Sequence, residues 1–450
     1  MLEKLFKLKE NKTNVKTEIT AGLTTFMTMA YILAVNPDVL GKAGMDGTAV
    51  LLATCIASFI GTLCMALMAN LPFALSAGMG LNAFFTYTVV LELGYTWQTA
   101  LLAVFIEGIV FIILSLTKVR EALFDCIPLT LKKAVSVGIG LYICFIGLQS
   151  AGIVADSSTL VTLVSFTDSF NTTGICALLA LIGVLLIAVL YIRNIKGSIL
   201  IGILGTWILG MICQAIGLYQ PDNVSYFSLF PTFEMTDFSK LGETFGQCFN
   251  IDFNTVGIFN FIVVIFSFLF VDLFDTLGTL MGVSAKAGLL DENGKLAKIK
   301  PALMADAVAT TAGAVLGTST TSTYVESASG VAAGGRTGLT SLTTAVLFLV
   351  SMFFAPIFVA VPSFATAPAL IIVGFLMFCT VTDIKLDDFT DAIPAYLCII
   401  AMPLFYSIAD GIAFGVISFV VINLVCGKHK KINSLMYVLA VLFILKYIFL

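Results

Sequence analysis

FNFIVVIFSFLFVDLFDTLGTLMG, residues Phe259 to Gly282, is apolar over a length that crosses a bilayer, since about 20 mostly apolar residues span the hydrocarbon. Its second half nevertheless carries Asp272 and Asp275. An acidic side chain at membrane depth costs roughly 2.5–3.5 kcal/mol on insertion scales, and such residues mark pathways and proton sites. On a helix Asp272, Asp275, Thr276 and Thr279 fall at i, i+3, i+4 and i+7, so they share one face. The other faces are Phe, Ile, Val and Leu. A polar stripe on an otherwise lipid-like helix faces protein or a wet cavity.

The rest of the chain has the same character. Hydrophobic residues make up 59% of it and charged residues 11%, against about 45–50% and 25% in soluble domains. That composition requires a polytopic membrane protein. The Lys-rich start (Lys4, Lys7, Lys9, Lys12, Lys16) runs straight into the first apolar stretch and reads as a retained cytoplasmic segment. Ten cysteines are scattered singly, mostly in apolar runs where Cys packs as a small hydrophobe. The one histidine, His429, sits in a basic tail segment, so no histidine relay is expected at membrane depth.

Apolar runs separated by short polar breaks give candidate spans at 18–36, 47–69, 72–90, 98–116, 130–150, 173–192, 197–217, 256–283, 301–316, 318–335, 338–361, 364–380, 392–408 and 411–427. Residues 434–450 are marginal for a span and are expected to lie in the interface or re-enter. With the N-terminus inside, the inner loops collect the basic residues from Lys118 and Arg120, through Lys295 and the DENGK turn (291–295), to Lys428, Lys430 and Lys431. Only Lys42 and Lys240 fall outside, and Lys446 lies in the last stretch. The long segment from Leu218 to Asp252 is acidic, aromatic and Lys-poor, as an outer loop should be.

Two spans cannot be ordinary helices. The third is interrupted by Ser76, Gly78, Gly80 and Asn82, and the tenth opens on a Ser/Thr run, carries Glu326 and closes on small residues. Such backbone is tolerated at membrane depth only inside protein or along a cavity, and paired broken segments point to a transporter's binding site. Ala53, Ala57, Ser58 and Gly61 in the second span recur at identical spacing as Ala305, Ala309, Thr310 and Gly313 in the ninth. The repeat unit is then seven spans, and an odd number inserts the second copy upside down. The expected fold is an all-α polytopic membrane protein: fourteen transmembrane segments as two inverted seven-span repeats, with half-helices and short extended stretches in spans 3 and 10.

Asp272 and Glu326 are expected to point into one space, with Asn82 nearby. Carboxylates accept, an amide does both, and backbone N–H groups donate, so a flat ligand with alternating donors and acceptors fits the set. The runs FVDLFDTLGTLMG, TSTYVESASGVAAGGRTGL, SAGMGLNAFF and SIADGIAFG together resemble the nucleobase–cation symporter family (the xanthine/uracil permease superfamily). The likeness is closest to its purine branch, the adenine/guanine/hypoxanthine permeases. It covers nearly the whole chain.

The resemblance implies a core domain from 18–116 (spans 1–4) and 256–361 (spans 8–11), and a gate domain from 117–217 (spans 5–7) and 362–427 (spans 12–14). An N-terminal segment (1–17), an outer loop (218–255) and a C-terminal segment (428–450) complete the chain. Substrate is expected at the junction, with Asp272 and Glu326 hydrogen-bonding the base. Asn82 and Gly80 in span 3 are implied in recognition, Tyr324 and Val325 as the aromatic and backbone neighbours of Glu326. Thr276 stands four residues after the span-8 acid, where some uracil and xanthine members carry His or Asp, and the second acid is at Asp275 instead.

The resulting expectation is a secondary active transporter of the plasma or inner membrane that imports a purine base with a proton, sodium being the alternative ion. Glu326, Asp272 and Asp275 are its proton-coupling candidates, and the family likeness suggests a homodimer. No cofactor, metal, nucleic-acid partner or enzymatic motif is expected. The rivals are a passive facilitator of the same architecture and an inorganic-anion exchanger, which would want a basic centre. Glu107 and Asp306 are read as helix-to-helix hydrogen-bonding groups, and Asp410 as a helix cap. GVAAGGRT (330–337) has Arg where a phosphate-binding loop requires Lys and follows no strand, so it is not read as one.

Overall fold

A computed structural model of the chain describes residues 2–117, 126–157, 160–221, 227–231, 235–251, 257–289, 296 and 298–449. Lys118, Arg120, Asp252, Lys295 and the 291–295 turn lie outside the described residues. Helices α1 (Leu2–Phe6), α2 (Val15–Met29), α3 (Ile32–Gly41) and α4 (Gly47–Cys64) come first, α4 continuing in wider π-type turns to Ala69. Strand β1 (Leu75–Ala77) leads into α5 (Met79–Ala83), which widens into π-type turns to Glu92, and then α6 (Trp97–Leu116) follows. Helix α7 (Leu129–Ser150), a hairpin of β2 (Val154–Ser157) and β3 (Leu160–Leu163), α8 (Ile175–Ile192) and α9 (Ser198–Ala215) close the first half.

The second half has α10 (Ile258–Ala287), α11 (Ile299–Leu316), β4 (Thr321–Thr323), α12 (Ser327–Ala332), α13 (Gly338–Ser351) and α14 (Ala355–Val359). It ends with α15 (Ser363–Phe378), α16 (Phe389–Leu404), α17 (Ile408–Val425) and α18 (Ser434–Phe449). Among the described residues 11 helices are long and apolar enough to cross a membrane. The two stretches expected to be broken are each a three-residue strand followed by a short helix.

Helices α6 and α4 pack along α11, and α13 packs on α2 and α4. Separately, α7 packs along α15 and α16, and α16 along α17. The small-residue repeat lies in the first group: a Cβ on Gly61 of α4 would sit 2.5 Å from Ala309 Cβ of α11, so the two helices meet as closely as glycine allows.

Three elements add detail that the expected spans lack. The first apolar stretch, a candidate span over Val15–Gly41, is divided by a turn at Ala30 and Tyr31 between α2 and α3. The β2–β3 hairpin has no counterpart in the span assignment. Helix α18 runs back along α17 and also against α10: Phe443 meets Phe266 and Phe270 at ring-centroid distances of 5.8 and 5.7 Å, and Tyr447 Oη donates to Asp410 Oδ1 at 2.7 Å. Asp410 is therefore not the cap of α17. Ser407 is, accepting from the Asp410 N–H at 3.2 Å.

Candidate functional site

Strands β1 and β4 pair antiparallel, Leu75 opposite Thr323, Ser76 opposite Ser322 and Ala77 opposite Thr321. All six residues are buried. Two outer bonds extend the ladder, Gly78 N–H to Thr320 O and Tyr324 N–H to Ala74 O, both 3.0 Å. Pairing in this way satisfies extended backbone where water is absent. Neighbouring helices hold each strand in a related manner. On α4, Thr62 Oγ1 donates to Leu75 O at 3.1 Å and accepts from Leu75 N–H at 2.9 Å, while Ser58 Oγ lies 2.7 Å from Ser76 Oγ. On α11, Thr310 Oγ1 donates to Thr321 O at 3.0 Å.

The Ser/Thr run before and within β4 sends successive side chains to different helices. Thr318 Oγ1 accepts from Asn36 Nδ2 of α3 at 3.0 Å. Ser319 Oγ donates to Asn82 Oδ1 of α5, and Thr320 Oγ1 donates to Glu107 Oε2 of α6 at 2.8 Å. Ser322 Oγ donates to Asp275 Oδ2 of α10 at 2.8 Å. Polar residues that looked like a ligand-binding run are in large part the fastening of the strand crossing.

The acids are divided by this arrangement. Asp275 and Glu326 are partly exposed, whereas Asp272 and Thr276 are fully buried. Asp275 lies close enough for its charge to act on Glu326. Glu326 Oε1 accepts from Tyr31 Oη at 2.9 Å, and Tyr324 Oη donates to Ala77 O across the crossing. Asp272, one turn before Asp275, turns the other way: its Oδ1 is 2.9 Å from Thr276 Oγ1, which is also 3.0 Å from Asp306 Oδ1 of α11. A hydroxyl has one proton to donate, so Thr276 serves one of these two carboxylates at a time.

The remaining expected residues surround the crossing. Asn82 is buried, its Oδ1 taken by Ser319 while Nδ2 has no hydrogen-bond partner among the described residues. A Cβ on Gly80 would lie 3.1 Å from Ile139 Cγ2 of α7 and 3.5 Å from Ile408 Cδ1 of α17, so Gly80 marks the seam between the two helix groups. Val325 is exposed, and Tyr324 is buried. Gly78 is tighter still, since a Cβ there would come 2.7 Å from Ser322 Oγ and 3.3 Å from Asp275 Oδ2.

Tyr31 and Glu18 were not anticipated. Tyr31 sits in an uninterrupted apolar run and carries no pattern that sets it apart. Glu18 is fully buried and binds the GGRT turn, accepting from the N–H of Arg336 (2.9 Å), Thr337 (3.3 Å) and Thr340 (3.2 Å) and from Thr340 Oγ1 (2.6 Å). Asp306 has the expected helix-to-helix hydrogen bond, to Thr276, whereas Thr320, which donates to Glu107, lies in the extended run before β4 and not on a helix.

The Permease family designated Xan_ur_permease matches residues 16–430. A Methanocaldococcus jannaschii protein is 48% identical over 450 residues, covering 100% of this chain and 98% of that one. The guanine/hypoxanthine permease PbuO of Bacillus subtilis is 45% identical, covering 98% of this chain and 99% of its own. The adenine permease AdeQ of Escherichia coli is 40% identical, with coverages of 99% and 96%. Among solved structures, the transmembrane domain of the cyanobacterial bicarbonate transporter BicA superposes with a TM-score of 0.60 at 14% identity, covering 90% of this chain and 97% of that one. SLC26A9 gives 0.58 at 14% identity, covering 91% and 66%. The chain shares their fold, and by sequence it belongs to the Xan_ur_permease family of membrane permeases, which are transporters and not enzymes.

Proposed function

We propose that this protein imports purine nucleobases of the guanine, hypoxanthine and adenine class by proton symport, through alternating access. The observation that carries the reading is the β1–β4 crossing with Asp275 and Glu326 partly exposed beside it, in a chain akin throughout its length to purine permeases. Acceptor oxygens, an amide donor and extended backbone at one place suit the edge of a purine. The seam marked by Gly80 suits a site worked by relative motion of two helix groups.

In this reading the chain crosses the membrane fourteen times as two inverted repeats, with its N-terminus in the cytoplasm. The α4/α6/α11/α13 group is the core and the α7/α15/α16/α17 group the gate. Glu326 takes up the transported proton. Asp275 and Asp272 orient the base, Asp275 from beside the crossing and Asp272 through Thr276. Binding of base and proton then shifts the populations of outward- and inward-open states by their differential affinity, as any ligand-driven change must.

Uptake of labelled guanine, hypoxanthine and adenine in cells lacking their own permeases tests this directly. Accumulation against a gradient that collapses with a protonophore and survives removal of sodium is expected. Equilibration without accumulation would replace symport by facilitated diffusion. Glu326→Gln is expected to abolish pH-dependent accumulation. Asp275→Asn is expected to raise KM about tenfold or more, the loss of one charge-assisted hydrogen bond. Asp272→Asn, acting through Thr276, should lower the maximal rate more than it raises KM, and equal effects of the two Asn variants would refute this division of roles.

A further inference from the structure

We infer that Tyr31 is a positioning residue that sets the proton affinity of Glu326 and travels with it through the transport cycle. The inference rests on Glu326 being the proton-linked group. The contact is direct, Tyr31 Oη to Glu326 Oε1 at 2.9 Å, and Tyr31 is 1% exposed. The titratable groups facing Glu326 among the described residues are Tyr31 from the α2–α3 turn, Asp275 from α10 and Tyr324 from β4. The Tyr324 hydroxyl is committed to Ala77 O, and Asp275 accepts from Ser322. Tyr31 is thus the neighbour whose hydroxyl is given to this carboxylate.

A hydrogen bond donated to the charged form of a carboxyl favours that form, so Tyr31 opposes protonation.

The pair does not separate when helices move, because α12 is seated on α2 at Ser329 and Gly330. A Cβ on Gly330 would overlap Thr25 Oγ1 and come 2.8 Å from Ala21 O. Thr28 Oγ1 lies 2.8 Å from Ser329 Oγ, and Glu18 binds the turn that follows α12. Glu18, Ala21, Thr25 and Thr28 recur at three- and four-residue spacing on one face of α2, and Tyr31 extends that line past the helix end. A rigid seat at this spacing holds the donor on Oε1 whichever way the gate group lies.

The test reads Glu326 without relying on transport. In purified protein the infrared band of a protonated carboxyl is followed against pH, and the component missing in Glu326→Gln is assigned to Glu326. Tyr31→Phe, which keeps the ring and removes the donor, is expected to move the midpoint of that component about one pH unit upward, a tenfold change in proton affinity. Thr28→Val breaks another α2–α12 contact and should leave the midpoint in place. The alkaline limb of the uptake profile should shift with the band. An unmoved midpoint in Tyr31→Phe, or an equal shift in Thr28→Val, overturns the inference while leaving Glu326 as the proton site. A titration identical in wild type and Glu326→Gln overturns the assignment of Glu326, and the role of Tyr31 with it.

Discussion

Glu18 shows how much a single side chain holds in place. Its carboxylate gathers three backbone N–H groups and one hydroxyl at the start of α13, where unpaired N–H groups and the helix dipole favour an anion. Replacing it by Ala leaves these N–H groups buried without an acceptor, and the expected loss is about 2–3 kcal/mol. Thermal unfolding of the purified protein should show a drop of several degrees, with Glu18→Gln intermediate because it keeps one acceptor oxygen. A melting temperature unchanged in Glu18→Ala would mean that water or a neighbouring group replaces the carboxylate. Nothing in KTEIT signals any of this. A Glu two residues past a Lys-rich start reads as a solvated first turn, and only the return of the chain at Arg336 gives it a partner.

At the scale of elements, the fit between α12 and α2 depends on there being no side chain at position 330. Gly330→Ala forces the helices apart or rotates α12, and overpacking of this kind costs about 1–3 kcal/mol. Loss of both melting temperature and base affinity is expected, since Glu326 rides on the same short segment. Normal affinity in Gly330→Ala would show that α12 is not seated as described.

A second element-scale link lies outside the membrane-spanning segments. Asp388 at the start of α16 meets Lys428 at 3.0 Å and Lys431 at 2.7 Å, in the turn before α18. Lys431, then Thr390 and Lys428, hold the Asp388 carboxyl below its ordinary range. A depressed carboxyl contributes stability that is fully present above its unfolded value, near 4, and is lost as pH falls toward its folded value. Asp388→Asn should therefore lower the melting temperature slightly and by the same amount from pH 5 to 8. The group is exposed, so a large effect is not expected, and a penalty that changes between pH 5 and 8 would point to another titrating group.

These elements also show what the sequence could disclose. The breaks at 75–78 and 321–326 were legible because Ser, Thr and Gly in series cannot face lipid as helix. The break at Ala30–Tyr31 was not, since MAYILAV (29–35) carries no Gly, Pro or other turn residue and its turn is set by what packs around it. Periodicity put Asp272 and Asp275 on one face, yet it could not say which of them meets the strand crossing. Ser322 and Asp306, arriving from distant parts of the chain, decide that.

For the molecule as a whole, the proposed alternating access raises the question of what must break for the two helix groups to move. At one end of the seam the contacts between them include polar, specific ones. Lys42, closing α3, donates across it to Ser150 Oγ at the end of α7 (2.8 Å) and, on its own side, to Tyr87 Oη (3.2 Å). Asp38, on the last turn of α3, accepts from Ser363 Oγ (2.6 Å) and Thr366 Oγ1 (3.1 Å) of α15. Thr88 Oγ1 donates to Tyr406 O beside α17 at 3.2 Å. Contacts of this sort are exchanged for water at modest net free energy, about 0.5–1.5 kcal/mol each for neutral partners and about 1.5–3 kcal/mol where Lys42 or Asp38 takes part. That suits a closure which has to reverse in every cycle, where an apolar seal would not. If the groups separate at this end during transport, fixing them together should stop it. Cysteines introduced together at Lys42 and Ser150 and joined by a short bifunctional thiol reagent are expected to abolish uptake, with recovery when a cleavable linker is reduced. Each single variant and the unmodified protein, with its ten native cysteines, should retain uptake under the same treatment. Full uptake by the joined double variant would show that α3 and α7 stay together throughout the cycle and that the moving boundary lies elsewhere.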